Sequence, residues 1–284
     1  LTDSRTGTTY GEFVLDNNVW TYTVDQSAVQ HLDEGDQVDD SITYTATDGT
    51  QQVITVTIAG TNDVPTLTGH TGAVTEDGGA LNVATGTLSF NDLDADDTQT
   101  FSVANPIGTY GSLAINELTG AWIYTLNNAD EDTDALAEGV TNTDTIEVTM
   151  TDGLGQSTVA DVVITVTGTN DDPVITSAVT AAQGTVSENA TTATATGTLT
   201  ASDVDTGHTL TYSVDNSQGT YGSLAVDSAT GVWTYTLDNN DADTDALAAE
   251  ASVTDTITVT VTDDQGATAT EDVAVTIAGA NDGP

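Results

Sequence analysis

Apolar and polar residues alternate one by one through most of this chain. Residues 145–150 and 162–167 show the pattern, and an Asp152-Gly153 turn separates them. Such alternation is typical of β-strands with one buried face, and the many Thr and Val residues suit a pleated surface. The same hairpin pattern recurs at two other places: Ile42/Tyr44/Ala46 with Ile54/Val56/Ile58, and Ile257/Val259/Val261 with Val273/Val275/Ile277. The sequence predicts an all-β fold, with at most short helical turns near Leu136 and Leu247.

The chain also repeats itself with a period near 110 residues. The segment Gly-Thr-Asn-Asp-Val-Pro at 60–65 recurs in altered form at 168–173 and 279–284, at spacings of 168 − 60 = 108 and 279 − 168 = 111 residues. A segment that begins Tyr-Gly at Tyr110 recurs at Tyr221 and, more crudely, at Tyr10; the matching tryptophans are Trp20, Trp122 and Trp233. A repeat of this length is too long for a solenoid and fits an independent β-sandwich domain. We therefore expect tandem immunoglobulin-like β-sandwiches in a linear array.

We predict three modules from these repeats. Module one covers residues 1–63, module two residues 64–171, and module three residues 172–284 with a C-terminal linker. Only 9 residues precede the Tyr-Gly segment of module one, so we expect this module to lack its opening strands. An incomplete sandwich would have an open sheet edge, and we expect module one to be the least stable of the three.

Charge narrows the range of partners. The 284 residues include 45 Asp and Glu but only 1 Lys or Arg, which is Arg5, so the formal net charge is -44. Nucleic acid binding requires Lys and Arg to displace counterions from phosphate, and an acidic surface is repelled by anionic lipids. The hydrophobic content of 37% in alternating blocks favours a folded chain over a disordered acidic one. We predict no nucleic acid partner and no membrane insertion, and the surplus carboxylates call for bound cations.

Other absences in the sequence agree with this interpretation. No Cys is present, so the chain has neither disulfide bonds nor thiolate ligands. In an exported protein, we expect bound metal ions to stabilise the modules in place of disulfides. No run of 18 apolar residues predicts a transmembrane helix, and the first residues do not resemble a signal peptide. We expect the sequence to be a fragment of a longer chain.

Acidic residues cluster where the predicted strands end. In module two these are Glu76, Asp92, Asp94 and Asp152, followed by Asn170 and Asp171. Module three repeats them; the residues are Glu188, Asp203, Asp205, Asp263, Asn281 and Asp282. If the strands run from end to end of each sandwich, these loops lie at its two poles, and a pole of one module faces a pole of the next.

The order of these motifs resembles the calcium-binding pattern of cadherins. It runs Glu-Asn, Asp-x-Asp-x-Gly, Thr-Gly before an aromatic strand, Asp-Gly, and finally Asn-Asp-x-Pro. The segments Tyr-Gly-Ser-Leu, Thr-Gly-x-Trp-x-Tyr-Thr-Leu and Asp-Thr-Asp-Ala-Leu resemble the VCBS-type repeats of large bacterial adhesins of the RTX type. The resemblance covers nearly the whole chain. It implies cadherin-like Greek-key sandwiches with Ca²⁺ at each module junction.

The resemblance also implies the ligands at each junction. The first junction would use Asn62, Asp63, Asp92, Asp94 and Asp152, and the second would use Glu76, Asn170, Asp171, Asp203, Asp205 and Asp263. Glu188 with Asp282, and Asp48 alone, would be half-sites for further modules. The Asp-Arg-Glu loop of cadherins is replaced here by residues 127–130 and 238–241, which leaves the ligand number open.

The residue types agree with calcium independently of the resemblance. Calcium takes six to eight oxygen ligands in irregular geometry, whereas zinc prefers Cys and His, and the three His residues have no ligand spacing. An EF-hand is excluded, because the acidic runs lack Gly at the sixth position and Glu at the twelfth. Two runs stay ambiguous between a second calcium loop and a solvated face: Asp130/Asp132/Asp134 and Asp241/Asp243/Asp245.

Enzymatic function has little support in the sequence. The acid pairs lie in turns and repeat in each module, which is a structural pattern rather than a single catalytic cleft, and no Gly-x-Ser-x-Gly segment occurs. The tryptophans could stack on sugars, but their shared place on an alternating strand favours core packing. The Thr-x-Thr runs are better explained as exposed strand faces than as ice-binding surfaces.

The sequence therefore predicts a structural extender of a secreted or surface-anchored bacterial adhesin, stiffened by Ca²⁺ and monomeric. Its partners would be neighbouring modules of the same chain, and a host or biofilm-matrix ligand would bind domains outside this segment. By resemblance, export would use a type I system and the protein would lie at the outer membrane surface. The alternatives are a module that binds carbohydrate or protein, and homophilic adhesion between like surfaces.

Overall fold

The alternating segments form β-strands, and the all-β prediction is confirmed. The computed structural model describes residues 4–94, 98–191 and 193–281. In module one the elements are β1 (Ser4–Gly7), β2 (Gly11–Asp16), β3 (Val19–Val24), the helix α1 (Gln26–Val29), β4 (Gln37–Thr45) and β5 (Gln51–Ala59). Within the described residues, no helix is long and apolar enough to cross a membrane.

Modules two and three repeat one order of elements. Module two contains β6 (Thr66–Thr68), β7 (His70–Thr75), a 3-10 helix (Gly79–Asn82), β8 (Val83–Thr87), β9 (Ser89–Asn91), β10 (Thr100–Ser102), β11 (Gly111–Ile115), β12 (Ala121–Leu126), α2 (Glu131–Asp134), β13 (Thr141–Thr151) and β14 (Ser157–Thr167). Module three contains β15 (Val174–Ile175), a 3-10 helix (Val179–Ala182), β16 (Gln183–Ser187), β17 (Thr194–Thr198), β18 (Ala201–Ser202), β19 (Thr211–Ser213), β20 (Gly222–Val226), β21 (Val232–Leu237), α3 (Ala242–Asp245), β22 (Ser252–Thr262) and β23 (Thr268–Ala278).

Two main sheets recur in both of these modules. In module three the sheet β19-β22-β23-β16 packs against the sheet β20-β21-β17, and β16 joins β23 in parallel. In module two the corresponding orders are β10-β13-β14-β7 and β11-β12-β8. Short pairs, β6-β9 and β15-β18, accompany them. Module one has the sheets β1-β2-β3 and β4-β5, and its described residues include no counterparts of β7, β8 and β10.

The core of each sandwich is built from the apolar phase of the alternating strands. In module three, Trp233 and Tyr235 of β21 are fully buried against Val259 and Val261 of β22. The prediction that Trp122 and Trp233 are core residues is confirmed, since Trp122 is 1% exposed and Trp233 0%. A valine–isoleucine sheet facing an aromatic strand gives the dense apolar interior that stabilises such a sandwich.

Trp20 does not follow the other two tryptophans, and the expectation that its repeat position implies core packing is wrong for it. The side chain is 44% exposed. Trp122 is covered by neighbouring strands, and a Cβ atom added at Gly72 of β7 or Gly86 of β8 would lie 3.0 Å or less from its ring. Described residues of module one offer no such strands, so the Trp20 ring contacts Phe13 on one side and stays open on the other.

The chain divides into two compact units. Unit 1 comprises Leu1–Val74, Ala80–Asn127 and Thr143–Thr165. Unit 2 comprises Thr75–Gly79, Asn128–Asn142 and Val166–Pro284. Each unit contains one of the acidic clusters described next. The three module boundaries derived from the repeats stay a prediction.

Candidate metal centre

Glu76 directly follows β7, and its side chain is buried. Its backbone N–H continues the strand by donating to Thr167 O at 2.9 Å, and its Oε2 accepts the N–H of Thr169 at 3.1 Å. The side chain is 1% exposed. Its second oxygen, Oε1, is buried and has no hydrogen-bond partner among the described residues. A buried carboxylate oxygen without a partner is unfavourable unless a cation or proton meets it.

The helix α2 brings a second carboxylate to Glu76. Asp130 caps the helix by accepting the N–H of Asp132 at 3.1 Å, so the single turn begins there and ends at Asp134. Carboxylate oxygens of Asp134, Glu76 and Asp171 all lie within 4.8 Å of one another. This narrows the roles of the first acidic run: Asp130 caps the helix, Asp132 is exposed, and the carboxylate of Asp134 lies in the cluster.

Asp171 is fixed by the loop that follows β18. Its N–H donates to Asp205 Oδ2 at 3.0 Å, and the N–H of Asp205 donates to Asp203 Oδ1 at 3.1 Å. Each of these three carboxylates retains one buried oxygen that has no hydrogen-bond partner in the described part of the chain, namely Asp171 Oδ2, Asp203 Oδ2 and Asp205 Oδ1. The loop also contacts α2 directly, since Thr206 N–H donates to Ala135 O at 3.1 Å.

Asn170 and Asp263 complete this group. Asn170 Nδ2 donates to Asp263 Oδ2 at 2.8 Å, and Asp263 Oδ1 accepts backbone N–H groups of Gln265 and Ala267. Burial opposes ionisation of Asp263, but these hydrogen bonds together lower the pKa of its carboxyl group. Together these residues form the second acid cluster, which lies within unit 2: Glu76, Asp134, Asn170, Asp171, Asp203, Asp205 and Asp263.

The electrostatics of the second acid cluster disfavour its ionised form when no cation is bound. Burial, followed by repulsion from Asp171, Asp77 and Asp134, raises the pKa of Glu76 to about 7 despite the hydrogen bond from Thr169. Burial and then the charge of Asp134 raise the pKa of Asp171 to about 6. The pKa of Asp205 is also raised, chiefly by burial. Carboxylates that hold their protons near neutral pH are typical of an acidic site that lacks its counter-charge.

The first acid cluster lies within unit 1 and repeats part of this arrangement. It consists of Asn62, Asp63, Asp92, Asp94 and Asp152. Asp63 N–H donates to Asp94 Oδ2 at 2.7 Å, and Asn62 Nδ2 donates to Asp152 Oδ2 at 2.9 Å. These contacts match those of Asp171 with Asp205 and of Asn170 with Asp263. Burial raises the pKa of Asp94, and Asn62 Oδ1, Asp92 Oδ2 and Asp94 Oδ1 have no described hydrogen-bond partners.

The two clusters differ in what the preceding module contributes. Leu32 contacts Gly60 as Leu136 contacts Gly168, so Gln30, two residues before Leu32, stands where Asp134 stands. No described residue of module one takes the place of Glu76. Over the described ranges, a group of three carboxylates within 4.8 Å occurs only in the second acid cluster.

The residues of the predicted half-sites differ in their surroundings. Glu188 is 4% exposed and accepts the N–H of Ala280 at 2.8 Å, which repeats the seat of Glu76 in module three. Asp241 caps α3 as Asp130 caps α2, and Asp245 ends it. Asp282 lies outside the described residues. Asp48 is exposed in a turn, where its Oδ1 accepts the N–H of Thr50 at 2.9 Å.

Sequence reasoning missed a second set of buried carboxylates, Asp40, Asp144 and Asp255. Asp144 Oδ2 accepts the hydroxyl of Tyr124 at 2.6 Å and the N–H of Tyr110 at 3.1 Å. Asp255 with Tyr235, and Asp40 with Tyr22, form the same pair at 2.8 Å and 2.6 Å. Burial and then Asp40 raise the pKa of Tyr22 to about 12.

These tyrosine–aspartate pairs tie the Tyr-Gly turn of each module to its central hairpin and do not belong to either acid cluster. The sequence did contain a signal for them. Asp144 occupies the apolar phase of β13, two residues before the buried Ile146, and a carboxylate in that phase needs buried hydrogen-bond donors.

Two segments of the chain match the family of bacterial cadherin-like domains: residues 62–168 and residues 170–279. No curated protein sequence shows a significant match.

Solved structures with a similar fold are cadherins of low sequence identity. Mouse cadherin-23 EC22-24 is 19% identical with a TM-score of 0.52, covering 98% of this chain and 86% of that one. Protocadherin gamma B2 extracellular cadherin domains 1-5 are 15% identical with a TM-score of 0.56, covering 100% and 53%. Mouse clustered PcdhgC3 EC1-3 is 15% identical with a TM-score of 0.52, covering 95% and 86%. These likenesses confirm the immunoglobulin-like β-sandwich, and the two tandem family matches show that the chain belongs to the bacterial cadherin-like domain family.

Proposed function

We propose that this chain is an extender segment of a bacterial surface adhesin, in which the second acid cluster binds Ca²⁺ and fixes module two to module three. Membership of the bacterial cadherin-like family suggests an extracellular adhesion or extender role, and domains of this kind are structural rather than enzymatic. The adhesin context, of the VCBS and RTX type, and export by a type I system belong to the proposal.

The observation that carries the proposal is the convergence of Glu76, Asp134 and Asp171 within 4.8 Å. The chain has no Lys and a single Arg, so the cluster's charge requires a cation from solution. The partnerless oxygen of Glu76 is fully buried beside two further carboxylates, where the ionised state is stable only if a positive charge is near. Orphaned oxygens on Asp171, Asp203 and Asp205 extend the donor set.

The donor chemistry favours calcium over other common ions. All of the candidate ligand atoms are carboxylate or amide oxygens, and calcium accepts six to eight oxygen ligands in flexible geometry. Magnesium requires a compact octahedron and retains several waters, so it fits a spread-out cluster poorly. Zinc prefers nitrogen and sulfur ligands, which the cluster does not contain.

Bound calcium would act as a clamp because its ligands come from separate parts of the chain. Glu76 and Asp134 belong to module two, Asp171 to the linker, and Asp203 and Asp205 to a loop of module three. Without the ion these carboxylates repel one another, and the hydrogen bond from Thr206 to Ala135 is a weak tether by itself. The neighbouring modules of the same chain are therefore the proposed partners of each module.

The proposal is tested by calorimetric titration and thermal unfolding of the full chain in calcium, magnesium and sodium at one ionic strength. A site that binds only the folded state stabilises it by about 2.7 kcal/mol when calcium exceeds Kd 100-fold. We expect calcium to raise the melting temperature of unit 2 well above the value in sodium, and magnesium to have a small effect. Equal stabilisation by all three salts would show that screening of acidic charge explains the result, and the clamp would be wrong.

A further inference from the structure

Module three contains a helical turn that module two lacks, directly before β16. The spacing from Pro173 to Gly184 of β16 is 184 − 173 = 11 residues, against 72 − 65 = 7 from Pro65 to Gly72 in module two. The longer crossing includes the 3-10 helix Val179–Ala182, whereas the described residues of module two pass from β6 to β7 without a helical turn. The additional length is what forms the turn.

The core of module three holds this turn in place. Trp233 is fully buried, and its Nε1 donates to Ala181 O at 2.9 Å. Ala182 is buried as well, and the N–H of Ala181 donates to Ala178 O at 2.8 Å within the turn. In module two the Nε1 of Trp122 is buried without a hydrogen-bond partner among the described residues, which agrees with the absence of the turn. The turn of module three is therefore fixed before any ligand arrives, as is usual at binding sites.

A hollow of about 540 Å³ lies between this turn and the outer face of the sheet. Its floor is a row of hydroxyls on three neighbouring strands, because Thr185 of β16 pairs with Thr276 of β23, which pairs with Thr254 of β22. Neighbouring strands are about 4.8 Å apart, so the row presents evenly spaced hydrogen-bond donors and acceptors. The side chains that line the hollow are all uncharged: Thr180, Gln183, Thr185, Thr254, Ala274 and Thr276.

The neutrality of the hollow limits what it can bind. The chain carries a formal net charge of -44, so an anionic ligand would be repelled. A cationic ligand would be drawn to carboxylates, and none lines the hollow. The nearest outward carboxylate of β23, Asp272, lies two positions from Ala274 and accepts the hydroxyl of Thr258 at 2.6 Å. An uncharged ligand rich in hydroxyl groups meets these conditions, because hydroxyls and amides both donate and accept hydrogen bonds.

We propose that module three binds an uncharged saccharide in this hollow. Hydroxyls of the sugar bond Thr185, Thr254 and Thr276, and the amide of Gln183 provides a further donor and acceptor. The small side chain of Ala274 leaves room for the C–H face of the sugar ring. The inference goes beyond the proposed extender role, because it gives module three a ligand of its own and does not involve calcium.

Module two is the internal control for this site. It has the corresponding sheet without the turn, and Ala73 and Val163 stand where module three has Thr185 and Ala274. One hydroxyl of the row is therefore missing, and a larger apolar side chain takes the place of the alanine. We expect no saccharide site on module two.

The test titrates three neutral trisaccharides, cellotriose, isomaltotriose and mannotriose, into the isotopically labelled full chain and follows the titration by NMR. We expect at least one of them to shift the signals of Gln183, Thr185 and Thr254 at millimolar concentrations, equally in calcium and in chelator. The signals of Thr71 and Thr143, the counterparts of Gln183 and Thr254 in module two, should not move. The anionic trigalacturonate should not bind.

Paired substitutions on the two sheets provide matched variants. Thr254→Val with Thr276→Val removes two hydroxyls from the floor but keeps side chains that suit a strand, and it should weaken binding about fivefold or more. Thr143→Val with Thr165→Val makes the same change in module two and should leave the affinity unchanged. The inference would be overturned by an absence of shifts with all three sugars, by equal effects of the two pairs, by equal shifts in module two, by equal binding of trigalacturonate, or by binding that requires calcium.

Discussion

The first and second acid clusters are each built from a linker and acidic loops of the same kind. They differ in how many carboxylates converge. In both, the Asn of the linker donates to an Asp in the turn between the last two strands, Asp152 or Asp263, and the following Asp N–H donates to the Asp-x-Asp loop. In the second cluster Glu76 and Asp134 of the preceding module reach the linker carboxylate as well. In the first, Gln30 stands in place of Asp134, and no described residue takes the place of Glu76.

This difference shows which parts of the repeat make the proposed clamp. The linker and the loops after it give a cluster that belongs to one module and its linker. Only a strand end and a helix end of the preceding module make the cluster span two modules. Calcium affinity depends on ligand charge, and Gln30 is neutral where Asp134 is a carboxylate, so we expect the second cluster to bind more tightly than the first.

Paired substitutions in the two Asp-x-Asp loops should have the largest effect. We expect Asp203→Asn with Asp205→Asn to remove the calcium-specific gain in stability of unit 2, which is about 2.7 kcal/mol at 100-fold excess over Kd. The matched pair, Asp92→Asn with Asp94→Asn, should leave that gain unchanged and remove only the weaker binding of the first cluster. Calorimetric titration of both double variants checks this. Equal losses of the tight binding step in the two would contradict the difference between the clusters.

The next largest effect is expected for the substitution of Glu76, the buried glutamate of the second acid cluster. In chelator at pH 8, Glu76→Gln should raise the melting temperature because it removes an uncompensated buried charge. In calcium it should lower the melting temperature because a ligand is lost. The reversal of sign distinguishes a metal ligand from a purely structural residue.

Glu188→Gln is the matched control for this substitution, since Glu188 accepts the N–H of Ala280 as Glu76 accepts the N–H of Thr169. We expect Glu188→Gln to leave the binding of calcium to the second cluster unchanged. If Glu76→Gln behaves like Glu188→Gln both in calcium and in chelator, Glu76 is not a ligand of the second acid cluster.

Residue patterns predicted the strands and most of the cluster, but not its convergence. The alternation at 145–150 and 162–167 specified β13 and β14, because a period of two has one structural solution. Asp134 could not be separated from Asp130 and Asp132 by sequence, since all three have the same chemistry. The helical turn separates them by using Asp130 as its cap. Trp20 shares the local pattern of Trp122 but is exposed, because the strands that cover Trp122 have no counterparts in the described part of module one.

The substitution Asp134→Asn tests whether α2 contributes a ligand to the second acid cluster. We expect a several-fold loss of calcium affinity at the second cluster, because the neutral amide keeps one oxygen donor but loses the charge. Asp132→Asn, on the exposed side of the same turn, should have almost no effect on affinity. Calorimetric titration compares the two variants. A larger effect of Asp132→Asn would mean that α2 presents a different carboxylate to the ion.

The pH dependence should be the smallest effect, and its sign should depend on calcium. The folded-state pKa of Glu76 is about 7 against an ordinary value of 4.5, and that of Asp171 is about 6 against 3.8. A raised pKa means that the folded state holds these protons more tightly. In chelator, therefore, the free energy of unfolding should fall as pH rises from the ordinary values through about 7.

Calcium binds the ionised carboxylates, so its affinity for the second cluster should rise over the same pH range. Thermal unfolding at several pH values with calcium and with chelator checks both signs. A stability in chelator that increases with pH across this window would show that the cluster's carboxylates are already neutralised within the protein.

The most direct test measures how calcium restricts the modules in solution. Because the chain has no Cys, spin labels can be placed at the exposed positions Leu118→Cys and Ala229→Cys for modules two and three, and at Val53→Cys and Leu118→Cys for modules one and two. We predict that calcium narrows the distance distribution of the first pair, at a lower calcium concentration than any narrowing of the second pair, and that chelator broadens it again. Distributions that are equally broad with and without calcium for modules two and three would contradict the calcium clamp.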